Sequence, residues 1–189
     1  MPFGRSKKQS APLDEPALYD YAVKALGRRM RTVAELKRLM RTRAERGESG
    51  DASIDRVIAR LKEQRYLNDT SYASSYARLR QENQSFGKRR VKQDLAQKGV
   101  HAEVIAKTLD TAYQDVNEEE LARRHLGRKR ISKPANEKEA ARVMRLLVRA
   151  GFSIGVIFRI LKKWDVDDEA LAGLEFMDND GHESSNGER

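Results

Sequence analysis

The sequence predicts an all-α protein built as an elongated array of three tandem three-helix repeats. Its apolar fraction of 39% is rich in Leu, Val, Ile and Ala, with many Arg, Lys, Glu and Gln in between. This mixture favours helices, because straight-chain side chains lose little rotamer freedom there. All four prolines lie outside the periodic segments, where they interrupt no helix. A helix–glycine–helix pattern also recurs at a spacing of 52 residues.

The two clearest copies of the pattern lie in "SFGKRRVKQDLAQKGVHAEVIAKTLDTAY" and "NEKEAARVMRLLVRAGFSIGVIFRILKKW". Without a gap, they pair Val91, Leu95, Gly99, Val100, Ile105 and Leu109 with Val143, Leu147, Gly151, Phe152, Ile157 and Leu161. Apolar residues four apart share one face of a helix. Glycine supplies the left-handed conformation that ends a helix at no steric cost. Each copy therefore predicts a helix, a tight glycine turn and a second helix.

A looser copy lies upstream, in "TVAELKRLM" and "SIDRVIARL". Thr32 and Glu35 have the spacing of a capping box, and Ser53 is the candidate cap of the second helix. The seven additional residues between the two apolar faces fall in the polar stretch "ERGESGD". This stretch predicts a longer loop than in the other copies.

One more helical run precedes each helix pair, so the predicted repeats span 16–67, 68–116 and 117–166. Short helices are marginal alone and stack to bury their apolar faces, which predicts an elongated array. Residues 1–15 are expected to form a disordered basic segment, and residues 167–189 a disordered acidic tail. The polar ends of a repeat stack favour a monomer.

The charge of the chain is strongly asymmetric. The formal net charge is +9, but the residues after Trp164 include nine acidic residues and one arginine, a net of −8. Residues 1–164 therefore carry +17. A body this basic predicts a polyanionic partner: nucleic acid, an acidic protein surface or an anionic membrane. The alternative is a solvated Arg-rich surface without a partner.

Two basic clusters are the candidate contacts with that polyanion. The first, in "GKRRVKQDL", consists of Arg89, Arg90 and Lys92. The second, in "LARRHLGRKRISK", consists of Arg123, Arg124, Arg128, Lys129, Arg130 and Lys133. Such dense like charge repels itself unless counter-charged, which favours polyanion contact over a merely solvated surface.

No catalytic constellation is evident, so we expect a protein that is not an enzyme and holds no cofactor or metal. There is no cysteine, and neither H-E-x-x-H nor G-x-S-x-G occurs. Gly87-Lys88 is followed by Arg89, which excludes a P-loop. The three histidines, His101, His125 and His182, have structural or solvent-facing roles in this interpretation. The run Glu118–Glu120 is interpreted as the first turn of a helix, where negative charge is favourable.

No apolar run approaches the roughly 18 residues of a membrane span. The N-terminal residues lack the apolar core of a secretory signal. We therefore expect a soluble, cytoplasmic protein without a membrane partner.

The segment "RYLNDTSYASSYARLRQENQSFGKRRVKQDLAQKGV" resembles the signature of the RecX family, bacterial regulators of the RecA recombinase. The matching features are the turn at 66–69, the Tyr72-Ala73 pair, the Arg-rich segment, and a helix that ends in Lys98-Gly99-Val100. Asn68 departs from the family, where an acidic residue is common. Upstream, "TVAELKRLM" is similar to the start of a family helix, and the resemblance covers residues 17–164.

The resemblance implies a non-enzymatic regulator, expected to be an inhibitor, of RecA in the SOS response and recombinational DNA repair. Such a regulator would bind in the groove of the RecA–DNA filament and modulate its ATPase, strand exchange and growth. The residues themselves leave two other functions open. One is direct, nonspecific binding of single- or double-stranded DNA through helix-turn-helix-like units. The other is a helical scaffold for another protein.

Overall fold

The computed structural model describes residues 11–164 and Val166. Within these residues there are nine α-helices and no β-strand. The helices are α1 (Glu15–Arg28), α2 (Val33–Arg41), α3 (Glu48–Glu63), α4 (Asp69–Gln84), α5 (Lys88–Gln97), α6 (Ala102–Tyr113), α7 (Glu118–Arg128), α8 (Glu137–Arg149) and α9 (Ile154–Lys162). They form three consecutive groups of three, which confirms the predicted all-α repeat class. The predicted acidic tail, and residues 1–10 of the predicted N-terminal segment, lie outside the described residues.

Polar caps begin several of these helices where the sequence places them. The Thr32 hydroxyl accepts a hydrogen bond from the Glu35 backbone N–H (3.0 Å), and the Glu35 carboxylate accepts one from the Thr32 backbone N–H. This is the predicted capping box. Asp14 caps α1, and Asn117 caps α7, whose first turn carries the three consecutive glutamates.

The start of α3 corrects the sequence-based prediction. Ser53 is not a cap, because α3 begins at Glu48 and the Ser53 hydroxyl donates to the Ser49 carbonyl inside the helix (3.0 Å). A Cβ atom at Gly50 would overlap the carbonyl oxygen of Glu45, so glycine is required where the chain turns back on itself. Part of the polar insertion therefore forms the first turn of α3, and the loop is shorter than predicted.

The two glycine turns have the predicted conformation and nearly identical hydrogen bonds. Gly99 has φ of +76° and Gly151 has φ of +89°. The residue after each glycine donates its N–H to the carbonyl five residues before it, from Val100 to Leu95 and from Phe152 to Leu147, both at 3.2 Å. This is the Schellman arrangement, and it confirms the predicted helix–glycine–helix unit.

The chain divides into two compact units. The first comprises the described residues up to Ala73 together with Leu95–Ile105, and the second comprises Ser74–Asp94 together with the described residues from Ala106 onward. The core of the first unit includes Leu18, Leu36, Met40, Ile54, Val57 and Leu61. The core of the second includes Val91, Leu109, Leu121, Leu126, Leu147, Phe152, Ile157 and Leu161. All ten apolar residues paired by the repeat are buried.

Equivalent contacts join successive repeats inside each unit. In the first unit, the Thr32 hydroxyl donates to the Lys98 carbonyl at the end of α5 (2.7 Å). In the second, the Gly87 N–H donates to the Ala150 carbonyl at the end of α8 (2.9 Å). Lys98 and Ala150 are themselves 52 residues apart. The turn of one repeat therefore packs on the start of the second helix of the repeat before it.

Among the described residues, no helix combines the length and apolar character needed to cross a membrane.

Candidate nucleic-acid interface

All nine candidate cations lie in the second unit. On α5, Val91 and Leu95 are buried, while Arg89 and Lys92, three residues apart, are exposed. Within the part of the chain that the structure describes, neither cation has an acidic partner. Both are therefore available to an external anion.

Arg90 is different, because its charge is already paired. Its Nε atom donates to the Asp94 carboxylate at 3.0 Å, and that side chain is only 12% exposed. The Tyr76 hydroxyl donates to the second oxygen of the same carboxylate (3.0 Å), and burial raises the pKa of Tyr76. The Arg90 guanidinium also lies 5.6 Å from the centre of the Phe86 ring. Arg90 thus stabilises the start of α5 as well as lining the surface.

Arg123 is also paired, through Glu119. Its guanidinium lies 2.8 Å from a Glu119 oxygen that Lys163 Nζ contacts at 2.6 Å. The hydrogen bond from Lys163 is the main reason that the pKa of Glu119 lies below its usual value. This carboxylate partly neutralises both cations, so Arg123 is a weaker candidate contact than its neighbours.

The remaining cations of the second cluster are exposed around the end of α7. They are Arg124, Arg128, Lys129, Arg130 and Lys133. Arg124 and Arg128 lie one helical turn apart on the same face. Arg130 has φ of +54°, the left-handed conformation that glycine occupies in the turns at Gly99 and Gly151.

The structure brings residues from both sequence clusters together at a hollow beside Phe86 and His125. Two cavities of about 290 and 220 Å³ share Phe86, His125 and Lys129 in their walls. The first is completed by Asn83, Gln84 and Arg128, and the second by Arg90, Leu146, Arg149 and Ala150. A third cavity of about 230 Å³ shares Leu146 with the second, and its walls include Arg130, Lys133, Arg142 and Glu139. We call these three cavities together the basic groove.

Sequence reasoning missed the contribution of α8 to this groove. Lys138, Arg142, Arg145 and Arg149 are spaced by four, three and four residues, so they share one exposed face of α8. Arg142 and Arg149 line the groove. The signal was present in "EKEAARVMRLLVR", but a search for adjacent cations does not find cations at helical spacing.

His125 is buried with 4% of its surface exposed, and it supports the wall of the hollow. Its Nδ1 atom lies 2.8 Å from the Gln84 carbonyl, which only accepts, so Nδ1 carries the proton and donates. Burial is the main cause of a lowered His125 pKa, and the positive charges of Lys129 and Arg128 add to it. The buried position agrees with the structural role that the sequence analysis gave to His125.

The remaining candidates for catalysis or metal binding form no site among the described residues. His101 is exposed just before α6. Among the described residues, no three His, Asp or Glu side chains are placed to hold a metal ion.

Fold and site together define an all-helical repeat protein with a cationic groove on its second unit. The comparisons with known proteins identify the family. Residues 68–109 match the model described as RecX, second three-helix domain. Over 171 residues the chain is 32% identical to "Regulatory protein RecX" of Myxococcus xanthus, an alignment that covers 83% of this chain and 90% of that protein. The corresponding protein of Leptothrix cholodnii is 35% identical over 147 residues, covering 76% and 87%. The chain belongs to the RecX family, which confirms the resemblance seen in the sequence.

Solved structures show the same fold. A crystal structure of RecX from Lactobacillus salivarius superposes with a TM-score of 0.65 at 22% identity. The match covers 80% of this chain and 97% of that one.

Proposed function

We propose that this chain regulates the RecA recombinase by binding the RecA filament on single-stranded DNA and inhibiting it. Its place in a family whose members are named regulatory proteins supports the regulatory role. The observation that carries the choice of partner is the basic groove, where exposed cations at the end of α7 and on α8 meet beside the paired Arg90 of α5. A nucleoprotein filament offers regularly spaced phosphates, so a groove of this kind gains affinity by releasing their counterions.

The inhibition requires no catalytic group. A regulator that lies in the filament groove contacts neighbouring RecA protomers and opposes the movements that ATP turnover and strand exchange require. It also occupies the path of filament growth. RecA is thus inhibited because the bound regulator stabilises one conformation of the filament over the others that its activity requires.

The test is to add the full chain to RecA filaments already assembled on single-stranded DNA, and to follow ATP hydrolysis and filament length. We expect a fall in the hydrolysis rate, shorter filaments, and sedimentation of the chain with the filament. Unchanged hydrolysis and length, without co-sedimentation, would exclude the proposal. Using preformed filaments matters, because a protein that only sequesters free DNA would act mainly before assembly.

A second candidate function is direct, nonspecific DNA binding. It is favoured by Arg124 and Arg128, an exposed pair without an acidic partner in the described part of the chain. Specific base readout is not favoured, because α6 follows a helix-turn-helix-like turn but carries only Lys107 as a cation and no Asn, Gln or Arg. Binding to naked DNA in the absence of RecA, with a steep salt dependence and no sequence preference, is the expected result for this function.

A further inference from the structure

We propose that the hollow beside Phe86 and His125 receives one nucleotide of a single strand. The base lies against the Phe86 ring, and the adjacent phosphates contact Lys129 and Arg149. This inference rests on the proposed function, in which the partner contains single-stranded DNA, and assigns part of that contact to a particular site.

The Phe86 ring is held in place before any ligand arrives. Phe86 lies in the short connection between α4 and α5, and its carbonyl accepts a hydrogen bond from the Tyr113 hydroxyl (2.9 Å). The ring is half-buried, with its centre 5.8 Å from that of the tilted His125 ring and 5.6 Å from the Arg90 guanidinium, so a base would contact the part of the ring that these two side chains leave open. Because the ring is already ordered, a base that stacks on it loses little additional side-chain freedom. Any of the four bases presents a face that suits such stacking.

The walls of the hollow supply polar contacts beside this aromatic surface. Asn83 is exposed in the first cavity, where its amide offers a donor and an acceptor to a base edge. His125 forms a neutral polar wall, since its protonation is disfavoured and its Nδ1 proton is committed to the Gln84 carbonyl. At about 290 and 220 Å³, the two cavities are smaller than the lower limit of about 300 Å³ that is typical of drug-sized ligand sites. That size suits a single base and its sugar.

Cations line the cavities beside the ring. Lys129 lines both cavities, Arg128 lines the first and Arg149 the second. Arg149 donates from Nε to the Arg145 carbonyl (3.2 Å), which holds its side chain along α8. Within the described residues, neither Lys129 nor Arg149 has a carboxylate partner. The carboxylates near the groove are engaged, Asp94 by Arg90 and Glu139 by the Ala135 N–H (2.8 Å).

An aromatic ring beside cations is the arrangement of single-strand sites, where phosphates follow the cations and bases stack on the ring. A duplex keeps its bases stacked inside, so it reaches the cations but not Phe86. The inference therefore predicts a preference for single strands that depends on Phe86. An acidic protein segment would also contact the cations, but it would not need the ring.

The first experiment compares the wild-type chain with Phe86→Leu and Phe86→Tyr. Leucine keeps apolar contact with His125 but removes the aromatic face, whereas tyrosine keeps both. The affinity is measured for an oligo(dT) of about 12 nucleotides, within the usual site size, and for a duplex of equal length. We expect Phe86→Leu to bind the single strand roughly tenfold more weakly. Its duplex affinity should stay unchanged, and Phe86→Tyr should resemble the wild type.

The second experiment reports on position 86 directly. The chain has a single tryptophan, Trp164, so Trp164→Phe combined with Phe86→Trp leaves position 86 as the sole tryptophan. Oligo(dT) should quench its emission through stacking, and the duplex should not. Lys129→Gln and Arg149→Gln should each lower the slope of log affinity against log salt by about 0.7, the value per phosphate on single strands. Lys107→Gln, an exposed cation of α6 outside the groove, should leave the slope unchanged.

Two results would overturn the inference: an unchanged single-strand affinity in Phe86→Leu, or unchanged emission at position 86 with DNA saturated. Competition by poly-glutamate that is equally strong in the wild type and in Phe86→Leu would assign the groove to acidic protein segments instead. The RecA assay separates this inference from the proposed function. If both Phe86→Leu and the wild type inhibit RecA and bind single strands alike, the regulatory function stands and the nucleotide site does not.

Discussion

At the scale of single residues, Gly99 and Gly151 meet two requirements at once. Both have the positive φ that ends a helix, which the sequence pattern predicts. Both also face a neighbouring helix so closely that a Cβ atom would overlap it, at Ala34 for Gly99 and at Arg90 for Gly151. The second requirement could not be predicted, because a single sequence does not show which segment packs against each turn.

We expect Gly99→Ala and Gly151→Ala each to destabilise the protein by at least about 2 kcal/mol. Alanine is strained in the left-handed backbone conformation, and its Cβ atom would also overlap the neighbouring helix. Gly151→Ala should cost more, since the overlap involves the Arg90 backbone as well as its Cβ, whereas Gly99 meets chiefly the Ala34 methyl group. Urea unfolding measures the difference. Gly127→Ala is the matched control, because Gly127 is helical with no neighbour in the way, and it should stabilise by about 0.5–1 kcal/mol. A Gly151→Ala variant as stable as the wild type would contradict the close approach of Gly151 to Arg90.

Arg130 has a left-handed backbone where glycine would be unstrained. Arg130→Gly should therefore raise the free energy of unfolding by about 1 kcal/mol, while the lost cation weakens binding to the filament. Arg65, with φ of +61° at the end of α3, provides the control. Arg65→Gly should give a similar gain in stability with binding unchanged. The proposed contact at Arg130 fails if the two variants bind equally well.

His125 predicts a pH dependence of stability. Unfolded His125 takes up a proton as the pH falls through its ordinary pKa of 6.5, while the folded residue, with a lowered pKa, stays neutral. In the pH window between the ordinary and the lowered pKa of His125, unfolding therefore takes up a proton. The free energy of unfolding decreases as the pH is lowered through this window. Above that window His125 adds no pH dependence.

Thermal unfolding at pH 7.5 and at pH 5.5 measures this effect. His125→Asn keeps a donor for the Gln84 carbonyl but does not titrate, so its melting temperature should fall less between the two pH values. His101→Asn, at an exposed histidine, should behave like the wild type. Equal falls in the wild type and in His125→Asn would show that other groups control the pH dependence.

At the scale of helices, the periodic apolar positions and the caps predicted most elements correctly. The predicted start of α3 was wrong because serine is a common N-cap residue, and Ser53 was chosen on that ground. The actual start depends on the tight turn at Gly50, where the chain contacts the Glu45 carbonyl. The basic face of α8 was missed for a different reason. Its cations are separated by apolar residues in the sequence, and only the helix brings them onto one side.

The repeat makes Leu95 and Leu147 equivalent, and both are fully buried. Leu95→Ala and Leu147→Ala should each lower the free energy of unfolding by about 2–5 kcal/mol, from lost burial and the cavity left behind. Leu79→Ala, on α4 with 46% of the residue exposed, should change it by no more than about 0.5 kcal/mol. Chemical denaturation of the three variants tests this. If only one of the buried leucines mattered, the two repeat positions would not be equivalent.

At the scale of the whole molecule, composition and charge predicted a polyanionic partner but not which cations are available to it. Arg90 and Arg123 looked like their neighbours in the sequence, yet carboxylates already pair with them. Asp94 lies four residues after Arg90, and Glu119 four residues before Arg123. Both pairs were visible at helical spacing. That Arg90 of the first cluster meets Arg128 and Lys129 of the second beside Phe86, in contrast, follows only from the packing of the second unit.

If the unpaired cations of the second unit bind the filament, reversing four of them should abolish binding while the helices remain. The variant Arg89→Glu, Lys92→Glu, Arg128→Glu, Arg130→Glu keeps the buried faces of α5 and α7 intact, so its circular dichroism should match the wild type. The control reverses four exposed cations elsewhere, Lys24, Arg38, Lys62 and Lys107, with the same change in net charge. Co-sedimentation with RecA filaments, and inhibition of their ATPase, should be lost in the first variant and largely retained in the second. Equal losses would mean that net charge alone governs binding. Retention in both would place the contact with the filament away from these clusters.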